Sequence, residues 1–397
     1  MGEEADAKTR SNLIIVDDEE GVADFIRDVA EECGFDVTIC NSGGALKEQY
    51  PNINPAVIIL DLNLPGYDGV ELLRYLSEQH TSAKIIISSG ADQRTIAAAQ
   101  ELGTRHQLNI HPTPLMKPLD VDMIEEILIP LRESTSAIAE GELRNALNKG
   151  EFVTYFQPKV DLLDNDGTRL DGVEALVRWK RPDNGIICPD HFIPLMQKHN
   201  LMGELTDVVI EQSIAAAHAW KEDGLDITVS INLDGSLLDD VQLPDRIHQR
   251  ALAMGVEPQR LTMEVTETAA MADTFVTMEI LTRLRVKGFN VSMDDFGTGY
   301  SSLVQLYRLP FNELKIDKSF VMDIGRKAEA EIIVEILALL GRKLGIRICA
   351  EGIETEGMLN FVKKCGCHLG QGYLFSRPIE QSMIAKLARR YGVSKKA

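Results

Sequence analysis

Acidic and amide side chains recur from residue 174 onward in this 397-residue sequence, within or directly after short, apolar, β-rich runs. They stand in the strings VEALVRW, SINL, MEVTET, MDDFG, KID and AEGIE, and they are Glu174, Asn232, Glu264, Glu267, Asp294, Asp295, Asp317, Glu351 and Glu354. Lys315 lies among them. Strand ends that carry so many carboxylates need cations, because the burial of unpaired charge is prohibitive. Oxygen ligands without a convergent histidine or cysteine favour Mg²⁺ or Mn²⁺ over Zn²⁺.

The adjacent pair Asp294 and Asp295 could bridge two ions or divide between them. Two ions about 3.5–4 Å apart are the arrangement used for in-line displacement at a phosphodiester. The string DFGTGYSS, residues 295–302, follows at once, and its glycines let the loop bend closely over a ligand. Glu267 is expected to hold this loop by hydrogen bonds, and Arg178 is a natural fork for phosphate. The residues alone predict a metal-dependent phosphohydrolase.

A second set of polar residues follows the apolar runs of the first third of the chain. Asp17 and Asp18 follow LIIV, Asp61 follows VIIL, Ser89 follows KIIIS, and Lys117 comes later. The carboxyl ends of parallel strands face the ligand crevice of an open sheet, so these side chains should meet there. Three carboxylates at one place require a hard divalent cation, and Mg²⁺ fits. Asp61 beside such an ion and a lysine is a candidate nucleophile for phosphoryl groups.

The elements that would position this second set alternate between strand and helix. The apolar runs are unbroken rather than alternating, which suits strands covered on both faces by helices. Residues 11–131 therefore predict an α/β fold, a flavodoxin-like, doubly wound parallel sheet. Residues 1–10 predict a disordered tail and residues 132–149 a helical linker.

Eight strand-like runs recur beyond residue 150, most of them separated by amphipathic helical stretches. They are Val153 to Gln157, Gly172 to Val177, Ile227 to Leu233, Leu261 to Val265, Val291 to Met293, Leu314 to Ile316, Arg347 to Ala350 and Tyr373 to Phe375. This number and rhythm predict a (β/α)₈ barrel, in which active-site groups lie at the carboxyl ends of the strands.

Composition restricts the partners of the protein. The chain has 44% hydrophobic and 26% charged residues and a net charge of −20, most of it in the first third. Such a field repels DNA and anionic membranes. No apolar run approaches the roughly 18 residues that a membrane span needs, and the start, MGEEADAKTR, has no apolar segment typical of secretion. With six scattered cysteines, interpreted as reduced thiols, the expectation is a cytoplasmic protein.

At this point residues 11–131 resemble a response-regulator receiver domain, and the stretch DLNLPGYDG, residues 61–69, fits closely. The resemblance implies that Asp61 accepts a phosphoryl group from a histidine kinase and holds Mg²⁺ together with Asp17 and Asp18. It also implies that Ser89 and Lys117 signal the phosphoryl state. Two departures from the family are a longer segment between Ser89 and Lys117 and Pro114 in place of the usual aromatic switch residue.

Residues 150–397 resemble the EAL family of cyclic di-GMP phosphodiesterases. The likeness is carried by YFQP, EAL, RW, EVTET, DDFGTGYSSL, KIDKSF, AEGIE and GQGYLFSRP, which stand in this order at barrel spacing. The resemblance implies hydrolysis of one phosphodiester of cyclic di-GMP to linear pGpG, with two Mg²⁺ or Mn²⁺ ions. It also implies a homodimer or higher oligomer, because EAL domains commonly pair.

Motif matching assigns roles to the residues of this second domain. The ligands of the first ion would be Glu174, Asn232, Glu264 and Asp294, and those of the second would be Asp294 and Asp295. Glu174 would also serve catalysis, together with Lys315, which would orient the attacking water or stabilise charge, and Glu351, a general base or a partner of the second metal. The residues implied in substrate binding are Gln157, Leu176, Arg178, Asp317, Glu354 and Gln371, and Glu267 is implied in loop stabilisation.

The combined expectation is a two-component response regulator in which phosphorylation of Asp61 controls cyclic di-GMP hydrolysis. Two alternatives stay open on the sequence. The protein could be an inactive receptor that binds the nucleotide without turnover, or it could act by contacting another regulator through its acidic receiver face.

Overall fold

The computed structural model describes residues 11–53, 55–79, 81, 83–90, 93–106, 108–117, 119–134, 138–163, 169–182, 185–271, 275–297, 306 and 308–393. The predicted tail, residues 1–10, lies outside these ranges. The chain divides into two compact units, residues 1–138 and 139–397. In the described residues, no helix combines the length and apolar character that crossing a membrane requires.

The first unit is a parallel sheet with helices on both faces, as predicted. Its strands are β1 Ser11–Val16, β2 Phe35–Cys40, β3 Val57–Asp61, β4 Asn63–Leu64, β5 Tyr67–Asp68, β6 Lys84–Ser89, β7 Asn109–Ile110 and β8 Leu115–Met116. Its helices are α1 Glu20–Glu32, α2 Gly43–Gln49, α3 Gly69–Glu78, α4 Gln93–Arg105 and α5 Val121–Ser134. Two separate apolar clusters cover the two faces of the sheet, which explains the unbroken apolar strands.

The strand order β2-β1-β3-β6-β7 is that of the flavodoxin-like fold. The last strand is broken, because β7 and β8 both pair with β6 in parallel at different positions. Pro114 lies in the segment between them and directly precedes β8. The segment between Ser89 and Lys117 contains α4 and this broken strand.

The second unit begins with α6 Glu140–Lys149, which lies within the predicted linker and buries Leu143 and Ala146. The strands that follow are β9 Phe152–Asp161, β10 Arg169–Arg181, β11 Gly185–Ile187, β12 Thr228–Asn232, β13 Leu261–Thr266, β14 Asn290–Phe296, β15 Glu313–Ile316, β16 Arg347–Ala350 and β17 Leu369–Gly370. The helices are α7 Ile193–Lys198, α8 Met202–Glu222, α9 Leu243–Ala253, α10 Glu267–Ala270, α11 Phe275–Val286, α12 Lys318–Met322, α13 Ala328–Leu344, α14 Glu356–Cys365 and α15 Gln381–Tyr391.

Eight of these strands close into a barrel, in the order β10-β12-β13-β14-β15-β16-β17-β9, and β9 pairs again with β10. Strand β9 runs antiparallel to both of its neighbours, whereas the other pairs in the barrel are parallel. The predicted barrel is therefore confirmed, with one strand reversed. The period of two along each strand divides its side chains between the barrel interior and the surrounding helices.

The eighth strand differs from its predicted position. Tyr373–Phe375 forms a turn, and the strand is the two-residue β17 that precedes it. The chain turns here because Gly372, at φ +159°, lies so close to Ile353 that a Cβ would come within 2.1 Å of its carbonyl oxygen. The N–H of Leu374 donates to that same carbonyl. The close approach of the backbones at Gly372 and Ile353 therefore overrides the β propensity of Tyr373–Phe375.

Candidate active site

The predicted metal and catalytic residues of the barrel converge at the carboxyl ends of the parallel strands. Glu174 lies on β10, Asn232 ends β12, Glu264 lies on β13, and Glu351 directly follows β16. Each comes from a different strand, and the barrel brings them together across 177 positions of sequence, from 174 to 351. This is the face at which barrel enzymes place their active sites.

Lys315 is the centre of the cluster. It is 1% exposed, and its Nζ lies 2.7 Å from Glu264 Oε2, 2.7 Å from Glu351 Oε1, 3.1 Å from Asp294 Oδ1 and 3.4 Å from Glu174 Oε2. One ammonium group therefore faces four carboxylates. The negative charge exceeds the positive charge of this lysine by three when all four acids are ionised.

Two amide side chains hold Glu174. Asn232 Nδ2 donates to Glu174 Oε1 at 2.8 Å, and Gln371 Nε2 donates to Glu174 Oε2 at 2.6 Å. Gln371 Nε2 also lies 3.0 Å from Gln157 Oε1. The structure thus brings Gln157 and Gln371, two predicted substrate residues, against a predicted metal ligand.

The two adjacent aspartates occupy a β-bulge. Between β14 and β15 the register shifts from Met293 to Phe296, so that Asp294 and Asp295 together oppose Lys315. Asp295 has φ +55°, a left-handed conformation that costs energy for a residue other than glycine. A bulge redirects side chains at the end of a strand. Here Asp294 contacts the ammonium group of Lys315, and Asp295 lies near enough for that charge to act on its pKa.

Two groups of acids have the spacing of metal ligands. Glu174, Glu264 and Asp294 form one, and Asp294, Asp295 and Glu351 form the other, with carboxylate oxygens within 4.8 Å of one another in each. Asp294 belongs to both groups. This donor set, all oxygen and rich in carboxylate, suits hard divalent cations.

The pKa values indicate that the cations near these acids do not balance the negative charge of the carboxylates. Burial raises the pKa of Asp294 to about 7, and the carboxylates of Glu264 and Glu174 act in the same direction. Burial also raises the pKa of Glu351 well above its usual range. For Glu264, burial is outweighed by the ammonium groups of Lys315 and Lys159, which lower its pKa to about 2. Added cations would permit full ionisation, so the residues fit a metal centre.

Glu267 holds the start of the glycine-containing loop. This residue is buried at the first position of α10, and its Oε2 accepts a hydrogen bond of 2.9 Å from the N–H of Gly297. The remainder of the predicted loop, residues 298–302, lies outside the described residues. The described contact joins Glu267 to the residue at which this loop begins.

The other predicted substrate residues lie around the cluster. Leu176 and Arg178 are half-buried on β10, and Arg178 Nη1 donates to the carbonyl of Val177. Asp317 caps α12, and its carboxylate adds to burial in raising the pKa of Asp295. Glu354 is exposed and belongs to neither group of acids.

The sequence interpretation missed the charged residues that lie deeper in the barrel. Three further charged residues lie on the side of Glu264 that faces away from Lys315. They are Lys159, Glu313 and Arg347, and the first two are 2% and 0% exposed. A signal for Lys159 exists: it stands two residues after Gln157 on one strand, so both side chains point to the same side. The same rule relates Glu313 to Lys315 on β15.

The receiver unit has a smaller acidic cluster at the ends of β1 and β3. Lys117 Nζ lies 2.7 Å from Asp61 Oδ2, 2.8 Å from Glu19 Oε1 and 3.0 Å from Asp17 Oδ2. Asp17, Glu19 and Asp61 have the spacing of metal ligands. Asp18, which was predicted as a ligand, is exposed and lies outside this group. The sequence interpretation did not single out Glu19.

Ser89 and Lys117 are neighbours in the receiver sheet. Ser89 is buried at the end of β6, and its carbonyl accepts a hydrogen bond of 3.2 Å from the N–H of Lys117. Burial raises the pKa of Asp17, whereas the hydrogen bonds to Asp61, Glu19 and Asp17 outweigh burial and raise the pKa of Lys117. The lysine therefore stays charged beside Asp61.

A flavodoxin-like sheet with an acidic pocket, followed by a barrel with carboxylates at its strand ends, defines a class of two-domain signalling proteins. The EAL domain family matches residues 140–378, and the response regulator receiver domain family matches residues 13–127. The chain belongs to the EAL family and carries a receiver domain.

Relatives with both similar and longer chains support this assignment. The chain is 31% identical to the cyclic di-GMP phosphodiesterase RocR of Pseudomonas aeruginosa, over 82% of this chain and 84% of RocR. It is 38% identical to the bifunctional diguanylate cyclase/cyclic di-GMP phosphodiesterase MucR of the same organism, over 62% of this chain but only 36% of MucR. The solved structure of the PaMucR phosphodiesterase with c-di-GMP is similar at a TM-score of 0.59, with 37% identity, over 62% of this chain and 98% of that one.

Proposed function

We propose that this protein hydrolyses cyclic di-GMP to linear pGpG with the help of two divalent cations. The observation that carries the proposal is the convergence of Glu174, Glu264, Asp294 and Glu351 on Lys315 at the carboxyl ends of the barrel strands. The relatives RocR and MucR, which are named as cyclic di-GMP phosphodiesterases, supply the substrate. Mg²⁺ and Mn²⁺ both suit the oxygen donors.

The residues of the barrel site would have different roles according to their positions. Glu174, Asn232, Glu264 and Asp294 would hold one ion, and Asp294 with Asp295 the other. Bound ions would stabilise the charge that develops on the attacking and leaving oxygens of the phosphodiester. Lys315 would orient the attacking water or stabilise charge, and Glu351 would accept its proton or support the second ion.

The outer residues would bind the nucleotide. Arg178, half-buried on β10, would pair with a phosphate, since a guanidinium matches phosphate geometry. Gln157 and Gln371 already contact the Glu174 side of the cluster, and Leu176 and Asp317 flank it. Glu267 would stabilise the loop that begins at Gly297.

The receiver domain would control this reaction. Asp61 would be phosphorylated by a histidine kinase, with Mg²⁺ held by Asp61 and Asp17 and with either Asp18 or Glu19 as the third acid. Asp61 and Lys117 lie 2.7 Å apart, which supports a lysine that pairs with the phosphoryl group. Ser89 would report the phosphoryl state.

Product analysis with cyclic di-GMP, Mg²⁺ or Mn²⁺ and the full chain tests the proposal. The wild type, Glu174→Gln and Glu222→Gln would be compared by chromatography. Glu222 is an exposed residue at the end of α8, so its variant controls for the loss of one acidic charge. Formation of pGpG by the wild type and Glu222→Gln, with a loss of roughly 10²-fold or more in Glu174→Gln, is expected because Glu174 lies inside the metal group.

Regulation is tested in the same assay with acetyl phosphate and an Asp61→Asn variant. A phosphodonor that changes the rate of the wild type but not of Asp61→Asn would support control by Asp61. Nucleotide that stays bound and uncleaved under every condition would favour the receptor alternative and contradict the proposal.

A further inference from the structure

A second layer of charge lies beneath the acidic cluster, inside the barrel. Lys159 extends from β9 and is 2% exposed, and its ammonium group contacts residues of three other strands. Lys159 Nζ lies 3.0 Å from Ser230 Oγ on β12 and 3.2 Å from Glu264 Oε1 on β13, and it pairs with Glu313 on β15. The side chain therefore reaches across the interior of the barrel.

Glu264 is the residue shared by the two layers. Its Oε2 faces Lys315 at 2.7 Å, and its Oε1 faces Lys159 at 3.2 Å. The side chain is 0% exposed. Each carboxylate oxygen thus has its own ammonium partner, one on the side of the acidic cluster and one on the opposite side.

Further ion pairs balance the charge of Glu313 in this lower layer. Glu313 Oε2 accepts a hydrogen bond of 2.8 Å from Arg347 Nη2, and Arg347 Nη1 lies 3.5 Å from Asp171 Oδ2. Charges therefore alternate from Asp171 through Arg347, Glu313, Lys159 and Glu264 to Lys315. We call these six residues the charge column. Because every anion in it has a cation on each side or at its end, burial of Glu264 in ionised form is stabilised.

We propose that Lys159 is a positioning residue for the metal ligand Glu264. The inference depends on the metal centre of the proposed function. Lys159 holds Oε1 from below, so that Oε2 alone faces the acidic cluster. A divalent cation can then replace Lys315 as the partner of Oε2, while the contact between Oε1 and Lys159 prevents the Glu264 carboxylate from rotating. Residues behind metal ligands commonly act in this way, and their loss typically weakens metal binding about 10- to 100-fold.

Mn²⁺ titration of the full chain tests the proposal without any turnover. Every protein would carry Asp61→Asn to weaken the receiver site, and free Mn²⁺ would be measured by electron paramagnetic resonance. Lys159→Met removes the contact with Glu264. The double variant Lys159→Met/Glu313→Gln removes this contact and also the charge of Glu313, which in the single variant keeps Arg347 but loses its ammonium partner. Glu313→Gln alone is the matched control, because it alters the lower layer and leaves Lys159 beside Glu264.

The expected result is a dissociation constant about tenfold higher for one ion in both proteins that lack Lys159. The control should bind Mn²⁺ like its parent. In hydrolysis assays, the Mn²⁺ concentration needed for half-maximal rate should rise by a similar factor, while the rate at saturating Mn²⁺ changes little. A structural role alone would lower thermal stability without this shift.

Three results would overturn the assignment: parental Mn²⁺ affinity in the double variant, an equal loss of affinity in Glu313→Gln, or unfolding of the double variant. A parent protein that binds Mn²⁺ but leaves cyclic di-GMP intact would contradict the proposed function only, and the comparison of affinities would still decide the role of Lys159. A parent that binds no Mn²⁺ would overturn the metal centre and this inference together.

Discussion

The receiver and the barrel both gather carboxylates around one lysine, but at different depths. Lys117 is 16% exposed and faces three acids, of which Glu19 is 61% exposed. Lys315 is 1% exposed and faces four acids, of which Glu264 is 0% exposed. Solvent can replace part of the receiver contacts, whereas the ionised, fully buried Glu264 depends on protein groups or a bound cation for neutralisation.

This difference in depth suits two kinds of chemistry. A site that exchanges a phosphoryl group with another protein must be reached from outside, and the acids of the receiver cluster lie at the carboxyl ends of β1 and β3 or directly after them. A site for hydrolysis works best when its groups are already oriented and water is excluded. The barrel helps to meet that requirement by drawing Glu174, Glu264 and Asp294 from three different strands of the closed sheet.

The largest effect should separate the two lysines. Lys315→Met is expected to lower kcat for cyclic di-GMP by roughly 10²- to 10⁴-fold, because under the proposed function it removes the ammonium group that would orient water or stabilise charge. Lys117→Met should instead lower the rate at which acetyl phosphate modifies Asp61. Steady-state hydrolysis and phosphorylation assays measure the two quantities.

Lys386→Met, at an exposed position of α15, controls for the loss of a lysine. Turnover by Lys315→Met at the rate of this control would show that depth of burial does not mark the catalytic lysine.

An intermediate effect is expected at the loop that follows Asp61. A Cβ at Gly69 would lie 2.6 Å from Leu62 Cα and 3.0 Å from the carbonyl oxygen of Asp61. Gly69→Ala must therefore displace backbone beside Asp61, at a cost of roughly 1–3 kcal/mol to the receiver. Calorimetric unfolding of the full chain should show a lower midpoint for one of its transitions.

Gly44→Ala is the matched control for this variant, since its added methyl group would lie 3.9 Å from Ser42 Oγ, its nearest neighbour, within a helix. That variant should be neutral or stabilising by up to about 1 kcal/mol. Equal behaviour of the two alanine variants would indicate that the receiver site tolerates backbone movement far better than its packing suggests.

The smallest effect is expected at Glu354, which motif matching assigns to the substrate. This side chain is exposed, so Glu354→Gln should change kcat/KM by no more than about two- to threefold, because surface substitutions usually alter free energies by less than ~0.5 kcal/mol. Glu351→Gln, three residues earlier, should lose far more activity. A large increase in KM for Glu354→Gln would show that the motif predicts function better than burial does.

Much of the fold could be predicted from local patterns. Unbroken apolar runs and intervening amphipathic stretches indicated both α/β units, and the polar residues at the strand ends indicated where chemistry would occur. The position of the eighth strand could not be predicted, because it depends on Gly372 passing close to Ile353, a contact between residues 19 positions apart. The reversed direction of β9 follows instead from the short connection between Asp161 and Arg169, because a parallel pair needs a crossover of roughly a dozen residues or more.

The chain itself determined which acids, amides and lysines stand at the ends of its strands, since strand boundaries follow from local polarity and the period of two. Tertiary structure alone decided which of them meet. Lys159 contacts Glu264 and Glu313 over separations of 105 and 154 residues, and Glu19 rather than Asp18 joins Lys117. Closure of a barrel or a sheet selects such partners by geometry, and burial then sets the strength of each charge interaction.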